Sequence, residues 1–364
     1  MQLDDNQQTF FALVKAGLWE QDVHLSQLGQ IDFNEVYRLA EEQSVVGLVA
    51  AGIEHVVDMK IPQQVALAFA GRALQLEQQG LAMNDFVAKL VEQLRSQDIY
   101  ALLVKGQGIS QCYKRPLWRA SGDVDLLLSE GNYEKAKAAL LPLALDSEQE
   151  YKAFKHLGMT MKGGFVVELH GTLHSRLSKR VDKGIDKAQK DVFYGGNVRS
   201  WKNGETQVFL PGVDDDVIFI FTHILHHFYI EGIGLRQICD WCRLLWTYRK
   251  SINHGLLESR IRKMGLMSEW KAFASVVVDW LGMPVEAMPI YSSDKKWSRK
   301  AERIIEFVLE SGNFGHNRKA ANGKLNSAWN KTQDFARHSR IFPWDSVKFF
   351  FHFLGDGIRL ATSK

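Results

Sequence analysis

The chain has 364 residues, and its 45 lysines and arginines face 42 acidic residues, a formal charge of +3. That balance excludes the concentrated basic footprint of a general nucleic-acid binder, so nucleic acid is not an expected partner. A hydrophobic content of 46% excludes a disordered or collagen-like chain, and the length suits two or three structural units.

The opening residues, Met1-Gln-Leu-Asp-Asp-Asn-Gln-Gln, lack the basic and apolar regions of a secretory leader. No window approaches the ~18 uncharged apolar residues of a spanning helix, so no membrane partner is expected. With three cysteines in all, the expectation is a reducing, cytoplasmic setting. Residues 1–97 read as an N-terminal helical region. Asp32 and Asn34 flank one helical start, with Val36, Leu39, Val45, Leu48 and Val49 at helical spacing. Pro62 opens a longer helix that the alanine-, leucine- and glutamine-rich composition carries to about Gln97.

The texture changes at Ile99, where a central unit over 98–210 is predicted. Tyr100-Ala-Leu-Leu-Val104 reads as a buried strand ended by the turn Lys105-Gly-Gln-Gly108, with a short helix from Ile109 to Tyr113. A second turn, Arg119-Ala-Ser-Gly122, leads into the strand candidate Asp123-Val-Asp-Leu-Leu-Leu128. A helix from about Tyr133 to Leu141 follows. Gly163-Gly164 then forms a turn before a third strand pattern, Phe165-Val-Val-Glu-Leu-His170. Strands interleaved with helices predict an α+β fold, a small mixed sheet flanked by helical regions. Residues 211–290 read as a helical domain closing a cleft over the central unit. Residues 291–364 read as a basic C-terminal region, with a mobile polar loop over Gly315–Lys324 and an amphipathic helix from Ser346 to Leu360.

Asp123 and Asp125 stand two apart on a strand, so their side chains project from one face. Two adjacent carboxylates repel each other, and a hard divalent cation relieves that repulsion. Glu168 lies on another strand and can complete the cluster. Surface exposure would also explain an Asp-x-Asp pair, and a lone strand–glycine–helix turn is most often structural. The ordered combination carries the functional reading. Free N–H groups after Lys105, at Gly106 and Gln107, can receive phosphate oxygens, with the Lys105 ammonium beside them.

These segments resemble an uncharacterised bacterial family of nucleotidyltransferases in the DNA polymerase β-like superfamily. Leu103-Val-Lys-Gly106, Tyr113, Pro116 and Arg119-Ala-Ser-Gly-Asp-Val-Asp-Leu-Leu-Leu128 carry the central resemblance. Val167-Glu-Leu-His170 looks like the third-carboxylate strand, Gly234-Leu-Arg-Gln-Ile-Cys-Asp240 like a later helical motif and Gly312-Asn-Phe-Gly315 like a motif near the end. The resemblance implies magnesium or manganese held by Asp123, Asp125 and Glu168, and an NTP that donates its nucleoside monophosphate. The acceptor stays open among small molecules, sugars and protein side chains. By the same resemblance, Gly106 takes the phosphate turn and Arg236 meets the nucleotide or orients its domain. Arg236 can equally pair with Asp240 four residues on, and Arg119 either braces its turn or faces a triphosphate. One departure stands out: Lys105-Gly106-Gln107 replaces the superfamily's Gly-Ser turn, at a longer spacing to Asp123. It keeps a catalytically silent nucleotide-binding or assembly module as the alternative.

Other chemistry-bearing residues read as structural. Cys239 and Cys242 have redox spacing but lie inside a helical apolar pattern, without a second pair for zinc. His223, His226 and His227 share a helix face, yet the glutamate of a His-Glu-x-x-His site is absent. His170 shares a strand face with Glu168 and can approach a metal there, whereas His174 reads as structural.

Overall fold

The computed structural model describes residues 2–151, 155–230, 232–313 and 324–351, the last segment with side chains from 333. In chain order, helices α1 (Asp5–Trp19), α2 (Phe33–Glu42) and α3 (Val46–Glu54) precede the long α4 (Gln63–Arg95). Strand β1 (Ala101–Val104), the short α5 (Gly106–Ser110), β2 (Asp123–Leu128) and α6 (Glu130–Leu140) follow. Next come β3 (Ala144–Ser147), β4 (His156–Met161), β5 (Val166–His170), α7 (Lys179–Gly195) and a hairpin of β6 (Val198–Asn203) and β7 (Thr206–Pro211). The rest is helical: α8 (Val213–Ile230), α9 (Leu235–Thr247), α10 (His254–Met264), α11 (Met267–Ser275), α12 (Lys295–Ser311) and α13 (Lys324–Ile341). This is the expected α+β class. No described helix is long and apolar enough to cross a membrane. The residues divide into two compact units, and the sequence passes between them at 70/71, 174/175, 184/185 and 220/221.

The first unit takes the residues up to Ala70, Ser175–Gly184 and the described residues from Phe221. Asp4 caps α1 by accepting from the Gln7 amide at 2.8 Å, while Gln7 reaches back to the Asp4 amide. Helices α1 and α3 meet backbone to backbone at two glycines. A Cβ on Gly17 would fall 1.9 Å from the Leu48 carbonyl oxygen, and one on Gly52 would fall 2.1 Å from that of Leu13. Gln43, wholly buried, donates to the Val308 carbonyl and accepts from the Leu235 amide. Asn313 accepts from Gln237 and donates to Ser44, so the segments beginning at Gly234 and Gly312 are joined. The expected mobile loop lies outside the described residues except for Lys324, which opens α13. Of the expected terminal helix, 346–351 is helical and 352–360 lies outside the described residues.

The second unit, Gly71–His174 with Ile185–Ile220, holds a five-stranded sheet in the order β1-β2-β5-β4-β3. Strands β2 and β5 are parallel, and the other neighbours are antiparallel. Side-chain alternation divides the sheet into two faces. One packs Leu103, Val124, Leu126, Leu128, Leu157, Met159, Val167 and Leu169 against Val87, Leu90 and Leu94 of α4 and Tyr133, Ala136 and Leu140 of α6. Burying a side chain of this size stabilises the fold by roughly 1.5–3 kcal/mol. The odd-numbered positions of β2 and the even-numbered positions of β5 therefore fall on the opposite face, where the polar side chains gather.

Candidate active site

Parallel pairing sets Asp123 opposite Val166 and Asp125 opposite Glu168. Carboxylate oxygens of Asp123, Asp125 and Glu168 all lie within 4.8 Å of one another. Asp125 is 1% exposed, while Asp123 and Glu168 remain partly open to solvent. Three residues spanning 45 positions of sequence, from Asp123 to Glu168, thus converge because two strands are neighbours in register.

The turn before α5 closes on the same cluster. A Cβ on Gly106, whose φ is +38°, would fall 3.3 Å from the Asp123 carbonyl oxygen, so the turn rests on the Asp123 backbone. Lys105 adopts φ +58°, ψ −145°, a region that favours glycine. Its ammonium lies 2.6 Å from Asp125 Oδ1. Burial lowers the Lys105 pKa, but the charges of Asp125, Glu168 and Asp123 outweigh it and raise the value above the ordinary lysine range. Gln107 is buried, and its backbone carbonyl accepts from Ser110 and Gln111. Arg119 donates to the Ala120 carbonyl at 3.2 Å and to Ser121 Oγ at 3.1 Å, which braces the turn leading into β2.

Two imidazoles complete the cluster. His170 Nε2 lies 2.8 Å from Asp125 Oδ1 and 3.3 Å from Glu168 Oε2. His156 Nε2 lies 3.2 Å from the same Glu168 oxygen. Burial disfavours the cation of His170, yet hydrogen bonds with Asp125 and Glu168 raise its pKa overall. Burial likewise pushes Glu168 upward, but hydrogen bonds from His156 and His170 and the Lys105 charge hold its carboxyl well below the usual range. Glu168 therefore stays ionised and available as a ligand.

Sequence reading did not single out His156. Its strand, His156-Leu-Gly-Met-Thr-Met161, carries a glycine and two methionines, which form a weak strand pattern. A usable signal was present in the glycine turn. A hairpin folded back at Gly163-Gly164 pairs His156 directly with His170 and leaves Gly158, with no side chain, opposite Glu168.

The other candidates stand on elements outside this sheet. Arg236 sits in the first turn of α9 in the first unit, where its amide bonds to the Gln43 carbonyl. Cys239 and Cys242 on the same helix are buried free thiols. Burial pushes Cys239 well above its usual value and Cys242 up to about 12, as suits structural rather than reactive cysteines. On α8, His223 and His227 meet at 3.0 Å, and His226 bonds to the Ser175 carbonyl. Among the described residues, the groups able to hold a metal ion are Asp123–Asp125–Glu168 and His156–Glu168–His170, not the α8 histidines. His174 pairs with Asp186 at 2.6 Å.

The mixed sheet thus gathers three carboxylates on one face, beside a strand–glycine–helix turn, in a cluster able to hold a metal ion. The chain belongs to the family described as uncharacterised nucleotidyltransferase, whose model matches residues 29–282, well over half its length. Membership makes nucleotidyl transfer its general class of activity, with an NTP as substrate, and the acidic cluster is compatible with a divalent metal. No curated protein and no solved structure matches the chain.

Proposed function

We propose that Asp123, Asp125 and Glu168 hold magnesium or manganese, and that the protein transfers a nucleoside monophosphate from an NTP to a hydroxyl or similar acceptor. The carrying observation is the β2–β5 register, which sets Asp125 opposite Glu168 and brings both to Asp123. The donor set fits a hard dication, since it is all carboxylate oxygen and keeps net negative charge after Lys105 is counted. Divalent ions, when bound, offset the triphosphate charge and align the acceptor oxygen with phosphorus.

The chain's own groups do the rest. Glu168, held ionised, helps activate the acceptor, whose proton passes to solvent as the new O–P bond forms and the bond to pyrophosphate breaks. The Gly106 turn, with the amides of Gly106 and Gln107, receives phosphate oxygens. Lys105 supplies positive charge to the departing pyrophosphate, and Arg119 keeps the Asp123 strand in position. Arg236 is assigned to nucleotide contact by its family motif alone.

Asp123→Asn tests this reading. It preserves shape and removes one ligand charge, which should cost several kcal/mol of barrier and lower pyrophosphate release at least about a hundredfold. NTP affinity should fall much less. Equal rates of release in the two proteins would remove Asp123 from catalysis.

The Lys105–Asp125 contact at 2.6 Å favours a second reading, a silent module whose own ammonium occupies Asp125 and offsets part of the carboxylate charge. Such a module binds an NTP, yet the wild type releases no pyrophosphate with a broad acceptor mixture.

A further inference from the structure

We infer that His156, Glu168 and His170 form a second metal site, selective for a borderline transition ion such as zinc(II). It shares Glu168 with the proposed magnesium centre but requires neither nucleotide nor transfer.

The argument begins with donor type. Two imidazole nitrogens and one carboxylate oxygen make a set that suits zinc, cobalt or iron(II) and is poorly matched to magnesium. This is also the composition of zinc sites that keep an open coordination position. The second step is geometric. Zinc–nitrogen and zinc–oxygen bonds of about 2.0–2.1 Å in a tetrahedron place neighbouring ligand atoms roughly 3.3 Å apart. The two Nε2 atoms stand 3.2 and 3.3 Å from the same Glu168 oxygen.

Preorganisation is the third step. His156 and His170 are direct cross-strand partners, with ring centroids 4.8 Å apart and planes 39° apart. Opposite Glu168 on β4 stands Gly158, which adds no side chain of its own beside the carboxylate; the Glu148 carboxyl lies over it, 3.1 Å from where a Cβ would fall. Both rings approach Glu168 through Nε2, and a dication replaces the proton on each nitrogen. Asp125 Oδ1 is also 2.8 Å from His170 Nε2, but the Lys105 ammonium shares that oxygen. Three protein ligands and one open position are therefore assigned. An ion held there draws Glu168 away from Asp123 and Asp125, so the two ions compete for one carboxylate.

Cobalt(II) is a suitable probe, because its visible absorption intensifies in a four-coordinate site and so reports binding there. The full-length protein, stripped with a chelator, is titrated with cobalt(II) and then back-titrated with zinc. One equivalent should bind, zinc should displace it, and millimolar magnesium should not. His156→Gln should weaken cobalt binding at least tenfold, while Asp123→Asn and His227→Gln should leave it within about threefold. X-ray absorption of the zinc-loaded wild type, which needs no variant, should show two imidazoles per zinc. Cobalt affinity unchanged in a folded His156→Gln protein would overturn the inference. So would complete displacement by magnesium, loss of binding in His227→Gln, or zinc without imidazole neighbours. Because every readout is binding, failure of the transfer reading shows separately, in pyrophosphate release by Asp123→Asn.

Discussion

Lys105 combines two costs at one position. Its backbone lies at φ +58°, ψ −145°, where a side chain is strained by roughly 1–3 kcal/mol. Its ammonium is drawn into a cluster of carboxylates, where it offsets the charge of an almost wholly buried Asp125. Strain of this kind persists where the surroundings demand it, and here the carboxylates supply the demand. Two variants separate the contributions. Lys105→Ala and Lys105→Gly both lose the ammonium, and breaking a buried pair costs about 3–5 kcal/mol. Only alanine keeps the backbone strain, so Lys105→Gly should be the more stable of the two by about 1 kcal/mol in urea unfolding. Magnesium should stabilise both variants more than the wild type, because it restores the missing positive charge. An alanine variant as stable as the glycine variant would mean the φ at Lys105 carries no strain. The sequence showed this residue next to a glycine turn, but it could not show the ammonium on Asp125, which depends on the placement of β2.

At the level of elements, legibility followed burial. Strands β1, β2 and β5 were readable because each carries an apolar run buried on the core face, with glycine turns nearby. The long helix after Pro62 was readable from composition and appears as α4. The β6–β7 hairpin was missed although Asn203-Gly204 is a strong turn signal. In β6 every other residue is exposed and the rest are only partly buried, so Val198-Arg-Ser-Trp-Lys-Asn203 shows little apolar alternation. Val208 and Leu210 of β7 anchor the hairpin in the core, with Trp201 of β6 packed against it, and a polar contact adds to them. Arg199 forms an ion pair with Asp216 in the first turn of α8, and the two side chains are 14% and 2% exposed. Burial lifts the Asp216 pKa despite the Arg199 charge, so the pair is sensitive to loss of either partner. Arg199→Met should destabilise the protein by about 3–5 kcal/mol, because it leaves an uncompensated buried carboxylate. Adding Asp216→Leu should recover most of that loss, as measured by urea midpoints of the single and double variants. A double variant as unstable as Arg199→Met would show that packing, not charge, is what Arg199 supplies. No local pattern predicts this pairing, or the parallel β2–β5 register, since both join residues distant in sequence.

The molecule as a whole spreads its buried ionisable groups over both units, and their proton binding sets how stability varies with pH. In the second unit, the raised pKa of His170 gives stability that is complete below the unfolded value near 6.5 and fades as pH rises through the folded value. Glu168 acts in the opposite sense, with stability present above its unfolded value near 4.5 and lost only in acid. In the first unit, Glu269 of α11 is wholly buried and accepts a hydrogen bond from Tyr229 at 3.2 Å. Burial, helped by nearby Asp345, pushes its carboxyl up to about 8. Between about pH 4.5 and 8 the folded protein therefore holds a proton that the unfolded chain has released. Stability attributable to Glu269 falls across that window as pH rises, by up to about 1.4 kcal/mol per pH unit. Glu269→Gln mimics the protonated acid, keeps an acceptor for Tyr229 and removes the titration. Urea unfolding of both proteins at pH 5, 6, 7 and 8, followed by tryptophan fluorescence, reads this group in the difference, because groups remote from Glu269 titrate alike in both proteins. The two should be nearly equal at pH 5. The variant should then gain steadily, to an advantage on the order of 3–4 kcal/mol at pH 8. A difference that stays constant from pH 5 to 8 would show that Glu269 titrates alike in the folded and unfolded chain, and that its burial among Tyr229 and Asp345 does not hold the proton.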